Sequence, residues 1–198
     1  MKIKFFAVIL VSTLLYSCAI LQSSQQNNIT IDITHYNHII LPPPSKLALN
    51  KKLNQIISAT YTDKDGKKTN YTTQTIVQVN DKHIVMVALA GWGGSLFKLD
   101  YDGKKITSSS IPLPNKNIGI KQSLTEFILS NAPISVVKNI FLNTNIHVVE
   151  NNNERLFLDQ NNKKIITIKY LKNNNNKNVI KINNYFYHYK ITITDIDT

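Results

Sequence analysis

Cysteine is almost absent from this chain: Cys18 is the only one among 198 residues, so no disulfide can form within it. The sequence also lacks the Gly-x-Ser-x-Gly motif that positions a nucleophilic serine in many hydrolases. Long apolar runs are missing as well, because the best candidate, residues 5–16, is too short to serve as a permanent bilayer span. These absences argue against a disulfide scaffold, a serine hydrolase and a membrane-spanning protein.

The first residues have the pattern of a secretion signal. Residues 1–4 are short and basic, and residues 5–16 are apolar except for one serine and one threonine. The run ends in Leu15-Tyr16-Ser17-Cys18, with an aliphatic residue three positions before the cysteine and a small residue directly before it. This is a lipobox, so we expect a signal peptide of residues 1–17 and acylation of Cys18 with chains such as palmitate. An ordinary cleaved signal with a chance cysteine is the alternative.

An acylated Cys18 implies a membrane protein of a particular kind. Two or more acyl chains give stable attachment where one binds only marginally. In Gram-negative bacteria an aspartate after the acylated cysteine commonly retains a lipoprotein at the inner membrane. Ala19 occupies that position here, so we expect a lipid anchor in the outer membrane and a domain that faces the periplasm.

The charge balance is strongly basic. Loss of residues 1–17 removes two lysines and leaves 21 basic against 12 acidic residues, a formal charge of +9. Export to the envelope argues against nucleic acid as a partner. Asn, Lys and Ile are all abundant, as is typical of an AT-rich genome whose codons favour these residues. This codon bias explains the excess of lysine and therefore the positive charge. Attraction to anionic lipid head groups is the alternative.

The mature chain divides into a tether and one domain. Residues 18–30 form the acylated N-terminus and a tether rich in Gln, Ser and Asn, whose few apolar residues cannot repay the entropy of ordering. Pro42-Pro43-Pro44 then forms a stiff step. Residues 31–198 have the length of a single domain.

Short alternating runs separated by turn signals predict an antiparallel sheet. Asp65-Gly66 is a hairpin turn between two such runs. Residues 83–90 are apolar on both faces, which predicts a central strand covered on both sides. The last strand is predicted to begin at Tyr185 and to pair with residues 179–183.

The period becomes helical over residues 120–142. Ser123 and Glu126 have the spacing of a capping box, and Pro133 ends a first helix and starts a second. We therefore predict an α+β fold. Its sheet is an open, strongly curved antiparallel half-barrel of about nine to eleven strands, with a short helical lid on the concave face.

Several local sequences resemble known lipoproteins. Residues 89–99 and Ala132-Pro133-Ile134 resemble the lipoprotein-localisation factor B family (LolB-like proteins), outer-membrane lipoproteins that receive other lipoproteins and insert them. The chain more closely resembles a related group of bacterial lipoproteins that share a domain of unknown function, through residues 41–44, 96–103 and 189–193. The resemblance implies an incomplete barrel with a helical lid and an apolar interior.

In localisation factor B the loop between the third and fourth strands projects a leucine into the membrane. The corresponding loop here is Gly91-Trp92-Gly93-Gly94, in which a glycine replaces the leucine and Trp92, the only tryptophan, is the nearest apolar side chain. An indole ring suits the membrane interface because it is apolar while its N–H prefers water. These four residues are the membrane-loop candidate, and a Trp92 folded back over the barrel mouth is the alternative. Because of this departure the insertase activity does not carry over.

Inward-facing apolar residues are candidates for lining a cavity. They are Phe97, Leu99, Tyr101, Leu124, Phe127, Ile128, Tyr185, Tyr187 and Tyr189. Plain core packing is the alternative, because the core face and the cavity face of an open barrel are the same surface. His35 and His38 are the only closely spaced histidines, and we predict neither a metal site nor a cofactor.

We therefore expect a monomeric, non-enzymatic lipoprotein, anchored through Cys18, that binds or transfers a hydrophobic or acylated molecule in the cell envelope. The alternative is a structural lipoprotein whose surface docks another envelope protein. A hydrolase acting through Ser95 or a histidine is a further alternative that no motif supports.

Overall fold

The computed structural model describes residues 28–62, 66–110 and 119–196. The predicted signal peptide, Cys18 and most of the predicted tether lie outside these residues. The described part contains two α-helices, α1 (Ile120–Asn131) and α2 (Ile134–Ile140), and a short 3-10 helix at Pro44–Leu47. Its strands are β1 (Thr30–Asp32), β2 (His38–Ile40), β3 (Lys51–Thr62), β4 (Lys68–Val79), β5 (Ile84–Leu89), β6 (Ser95–Tyr101), β7 (Ile106–Ser110), β8 (Ile146–Asn151), β9 (Glu154–Asp159), β10 (Lys164–Lys172), β11 (Asn178–Asn184) and β12 (Tyr189–Asp195).

Ten strands form one antiparallel sheet in the order β7-β6-β5-β4-β3-β12-β11-β10-β9-β8. The first strand of this sheet, β3, pairs with the last, β12, at its centre. The edge strands β7 and β8 do not pair with each other, so the sheet is open. The helices follow its fifth strand, pass from one edge to the other and cover the concave face. The predicted fold class, strand number and helix position are confirmed.

An N-terminal hairpin lies over the same face as the helices. Its two short strands pair through Ile31 and Ile39, and both side chains are buried. The hydroxyl of Tyr101 on β6 donates to the carbonyl oxygens of Leu41 and Pro42, each at 3.2 Å. The concave face is therefore covered by three pieces: α1, α2 and residues 28–49.

The connections between strands fall at two ends of the sheet. One end carries the β3–β4, β5–β6, β9–β10 and β11–β12 connections, and we call it the open end. We call the opposite end the closed end. At the closed end of β4, β5 and β6 the inward side chains are at most 2% exposed. These side chains are Val77, Val79, Ile84, Met86, Leu99 and Tyr101.

The last strand begins later than predicted. Strand β12 starts at Tyr189, and residues 185–188 form the turn that joins it to β11. The N–H of Tyr187 donates to the side-chain oxygen of Asn184 at 2.8 Å, and His188 takes a left-handed conformation with φ 55°. The prediction that a strand runs from Tyr185 is wrong, because alternation through a turn mimics alternation along a strand. The predicted pairing with residues 179–183 is confirmed.

The predicted capping box is also wrong. Helix α1 begins at Ile120 after Gly119, and no side chain caps its first turn. The Ser123 hydroxyl donates to the carbonyl oxygen of Gly119 at 3.3 Å, while Glu126 is only 2% exposed. Because the helix starts three residues before Ser123, Glu126 falls on the face that packs against the sheet.

Strand β5 is less covered than predicted. It lies third from the β7 edge, and its outward residues Val85, Val87 and Leu89 are partly exposed. Apolar residues on both faces therefore do not make this a doubly covered strand, because the described helices lie only on the concave side. Among the described residues, no helix has both the length and the apolar character needed to cross a bilayer.

Candidate functional site

The concave face is not uniformly buried. At the open end, several inward side chains remain partly exposed, in contrast to the sealed closed end of β4, β5 and β6. We call this surface the open patch, and its members are Ile57, Ala59, Tyr61, Tyr71 and Phe97. They share one face because Ala59 lies directly opposite Tyr71 across β3 and β4. The two tyrosine rings, Tyr61 and Tyr71, stack with centroids 5.8 Å apart and planes at 5°.

A pocket of about 270 Å³ lies at the same end of the molecule. Thr30, Ile31 and Asp32 of the N-terminal hairpin form one wall, and Tyr187 of the β11–β12 turn forms another. Gly119, Lys121 and Gln122, at the start of α1, contribute the third wall. The Tyr187 hydroxyl donates to the carbonyl oxygen of Asp32 at 3.3 Å and so joins two of these walls. Small-molecule sites commonly measure about 300–1,000 Å³, so this pocket is smaller than most of them.

A buried polar cluster lies between α1 and the sheet beside this pocket. The Tyr189 hydroxyl donates to Glu126 Oε1 and accepts hydrogen bonds from Gln122 Nε2 at 2.7 Å and Asn184 Nδ2 at 3.1 Å. Gln122 Nε2 also donates to Glu126 Oε1 at 3.0 Å. We call these four residues the polar cluster. Because Gln122 also lines the pocket, the cluster connects the pocket to the interior.

Glu126 is the exceptional member of the polar cluster. Burial raises the pKa of its carboxyl group, while hydrogen bonds from Tyr189, Gln122 and Asn184 act in the opposite direction. Its second oxygen, Oε2, has no hydrogen-bond partner among the described residues. A buried carboxylate without a counter-charge is strongly disfavoured, so the neutral acid is the form that suits this site. The pKa of Tyr189 is raised well above its ordinary value by burial and by the neighbouring Glu126.

Arg155 on β9 holds the end of α1 against the sheet. Its Nη1 donates to the carbonyl oxygen of Leu129 at 2.5 Å and to that of Ala132 at 3.2 Å. Its Nε pairs with Glu150 Oε2 at 2.5 Å. The last carbonyls of a helix lack partners within the helix, and a guanidinium matches them in charge and geometry. The buried guanidinium of Arg155 therefore holds the C-terminal end of α1 against the sheet.

The β5–β6 loop presents Trp92 at the open end. The Ala90 N–H donates to the Gly94 carbonyl oxygen at 2.7 Å, which closes a tight loop, and Gly93 has φ +88°. A Cβ at Gly94 would lie 2.8 Å from Trp92 Nε1, so the indole rests against that glycine. Trp92 is nevertheless 77% exposed. The ring therefore lies over its own loop and outside the barrel interior.

The residues proposed to line a cavity occupy four kinds of position. Leu99, Tyr101 and Tyr189, and the α1 residues Leu124, Phe127 and Ile128, are buried in the core. Phe97 belongs to the open patch, and Tyr187 lines the pocket. Tyr185 lies in a turn and is 41% exposed. The structure thus brings Phe97 and Tyr187 to surfaces that a ligand can reach.

The histidines near the N-terminus have separate partners. His38 Nδ1 contacts Asp32 Oδ1 at 2.5 Å, whereas the His35 ring lies 4.8 Å from the ring of Phe186. Within the described residues, no group of three His, Cys, Asp or Glu side chains has a geometry that could hold a metal ion.

Sequence reasoning missed the polar cluster and the role of Arg155. Gln122 and Asn184 carry no signal, because surface positions favour the same residue types. Glu126 did carry one: it lies three residues before the apolar Leu129, so the two share a face of the helix. The capping interpretation obscured this. The single arginine of the chain was a further available signal, since arginine suits buried ion pairs better than lysine does.

Comparison with known proteins gives one family and several distant structural likenesses. No curated protein matches the chain. A Vibrio parahaemolyticus structure described as an outer membrane lipoprotein-sorting protein domain is 6% identical, with a TM-score of 0.35 over 74% of this chain and 83% of that one. A LolA superfamily protein from Nitrosomonas europaea is 9% identical, with a TM-score of 0.35 over 78% of this chain and 88% of that one. The family model described as "Protein of unknown function (DUF3261)" matches residues 52–197, and the chain belongs to that family.

Proposed function

We propose that this protein is a lipid-anchored lipoprotein of the cell envelope that takes up a lipid-like or acylated molecule through the open end of its half-barrel. The observation that carries the proposal is the contrast between the two ends of the concave face. Inward side chains of β4, β5 and β6 are sealed at the closed end, while the open patch leaves apolar surface partly accessible. Burying such surface is favourable by about 0.8 kcal/mol per methylene.

The geometry limits how much of a ligand is enclosed. The core beneath α1 is packed with side chains such as Leu124, Ile128 and Phe157, each fully buried. An acyl chain therefore lies along the open patch and does not thread through the interior. Affinity rises with chain length by about fourfold per methylene while the chain covers the patch, and it then levels off.

The anchor is tested by metabolic labelling. The full chain incorporates labelled palmitate, and a Cys18→Ser variant does not. Fractionation of the labelled cells then distinguishes the outer membrane, which Ala19 favours, from the inner one. An unlabelled wild-type chain contradicts the lipoprotein part of the proposal and leaves the ligand question to the next experiment.

Ligand uptake is tested by extraction and by titration. Solvent extraction of protein purified from its membrane, followed by mass spectrometry, yields a reproducible lipid-like molecule. Fatty acids of increasing length are then titrated into the acylated protein in detergent-free nanodiscs. Ala59→Phe, which fills the open patch, weakens binding, whereas Ser58→Phe, on the outer face of the same strand, does not. Equal binding by both variants would falsify the assignment of the patch.

A docking module is the second candidate function. The solid packing of the closed end favours it, because no ligand fits among Val79, Ile84 and Tyr101. In that case extraction yields no ligand, and purified protein shows no length-dependent binding of fatty acids. Crosslinking in intact cells then yields one defined envelope protein.

A further inference from the structure

Exposed large apolar side chains concentrate at the open end. Among the described residues eight such side chains are exposed, and five of them belong to that end. The five are Tyr36 (89% exposed), Trp92 (77%), Leu142 (72%), Tyr185 (41%) and Tyr71 (37%). They come from five different segments of the chain, so no local sequence pattern creates the grouping. We call this set the apolar rim.

Contacts between neighbouring segments place the rim residues around one opening. The His35 ring packs edge-on against Phe186 at 4.8 Å, which joins the turn bearing Tyr36 to the turn bearing Tyr185. The Asn145 N–H donates to Asn37 Oδ1 at 2.9 Å, which joins the same β1–β2 turn to the loop bearing Leu142. On the opposite side, the Thr73 hydroxyl donates to the carbonyl oxygen of Leu89 at 2.6 Å. This bond holds the Trp92 loop beside the part of β4 that carries Tyr71.

The charges around the rim are predominantly positive. Lys68, Lys121, Lys163 and Lys164 are exposed at the open end. The carboxylates that the structure describes there are Asp32 and Asp159. Asp32 contacts His38, and Asp159 accepts backbone hydrogen bonds from Asn161 and Lys163 within its own turn. Among the described residues, exposed lysines therefore outnumber carboxylates at this end, which favours an anionic surface.

We infer that the apolar rim seats the open end of the half-barrel on a lipid bilayer that carries anionic head groups. Four of the five rim residues are Tyr or Trp, the side chains that favour the membrane interface because they combine an apolar ring with a polar tip. Nearby lysines attract anionic head groups. The inference rests on the proposed function and deepens it: an entrance held against the bilayer lets an acyl chain pass between membrane and protein without crossing water.

The sole tryptophan makes this orientation measurable. The acylated full-length protein is reconstituted into phosphatidylcholine vesicles containing phosphatidylglycerol and brominated lipid, and Trp92 fluorescence is recorded. The bromine atoms quench Trp92 strongly in the wild type. The triple variant Tyr36→Ser, Leu142→Ser, Tyr185→Ser keeps Trp92 and loses most of the quenching. The matched double variant Val149→Ser, Leu171→Ser changes side chains exposed by 43% and 42% away from the rim and keeps it.

Partition of the unacylated chain measures the strength of the contact. The chain from residue 18 onward carrying Cys18→Ser retains residues 28–196, which contain one continuous core. It binds vesicles more tightly when phosphatidylglycerol is present, and the triple variant binds about tenfold to a hundredfold more weakly. Urea midpoints equal to that of the wild type show that the variants fold.

Three outcomes overturn the inference. One is unquenched Trp92 in the wild type, and another is equal partition of the triple and control variants. The third is a concentration-dependent dimer that the triple variant abolishes, which assigns the rim to a second copy of the chain. Equal binding to vesicles with and without phosphatidylglycerol overturns the anionic part. None of these measurements depends on the ligand extraction that tests the proposed function, so the two can fail separately.

Discussion

At the scale of single residues, the three tyrosines near the C-terminus show how position determines role. Tyr185, Tyr187 and Tyr189 alternate in sequence, yet the first is exposed, the second lines the pocket and the third is buried in the polar cluster. The turn at residues 185–188 separates them, because a chain that reverses direction no longer presents every second side chain to one face. Aromatic alternation alone thus defines a face only inside a strand.

The hydroxyl of Tyr189 organises the polar cluster, so its removal is costly. Tyr189→Phe leaves Glu126, Gln122 and Asn184 without a shared partner, and we expect it to lower the free energy of unfolding by about 2–4 kcal/mol. Tyr101→Phe is the matched control, because it removes one buried hydroxyl that donates to two carbonyl oxygens, and it costs about 1 kcal/mol. Urea unfolding measures both. Equal losses would contradict a special role for the cluster.

Glu126 makes stability depend on pH in a direction opposite to that of most carboxylates. Its pKa is raised in the folded protein by burial, so the folded state holds the proton more tightly than the unfolded chain, whose value is near 4.5. The stabilisation by the proton is complete below 4.5 and is lost as the pH rises through the folded pKa. Relative to Glu126→Gln, which does not ionise, the wild type should therefore lose stability with rising pH.

Urea unfolding of both proteins between acidic and mildly alkaline pH tests this expectation. The difference in unfolding free energy between wild type and Glu126→Gln, taken at each pH, removes the contributions of all other groups. A difference that stays constant over the whole range would show that Glu126 has the same pKa in both states.

At the scale of elements, the lid depends on one buried guanidinium. Arg155 bridges the carbonyl end of α1 to Glu150, so Arg155→Met leaves the helix carbonyls and a partly buried carboxylate without a donor. We expect a loss of about 3–5 kcal/mol in the free energy of unfolding. Lys172→Met is the control, because its exposed ammonium donates to the carbonyl oxygen of Asn176 at 3.3 Å and such exposed contacts contribute less than about 1 kcal/mol. A small loss for Arg155→Met would mean that apolar contacts alone hold the lid.

The elements themselves were largely predictable from the sequence. The run of alternation from residue 71 to residue 79 gave the inward face of β4, with Thr75, Val77 and Val79 buried. Pro133 separates α1 from α2 as expected, since proline lacks the N–H that a helix interior requires. Boundaries were less predictable, as the start of β12 shows, because a turn is fixed by local hydrogen bonds and a left-handed residue that periodicity does not record.

At the scale of the whole molecule, β12 joins the two halves of the sheet. It pairs with β3 from the first half of the chain and with β11 from the second. A chain that ends at His188 lacks this strand and exposes two unpaired edges together with the core around Ile182. We expect it to lose cooperative unfolding, measured by circular dichroism in urea. A chain that ends at Ile196 keeps Asp195, which accepts a hydrogen bond from Gln55 at 2.8 Å, and should unfold like the full chain. Cooperative unfolding of the shorter chain would contradict this role for β12.

The sequence by itself determined the succession of strands and helices, and which side chains point inward along most strands. These are local properties, because a hydrophobic period of two or of 3.6 residues is read over a few neighbouring positions. Only the tertiary structure decided which inward side chains are sealed in the core and which remain in the open patch. It alone placed Glu126 against Tyr189, 63 positions away, and gathered the apolar rim from separate turns. Such groupings arise from long-range strand pairing, which no short stretch of sequence encodes.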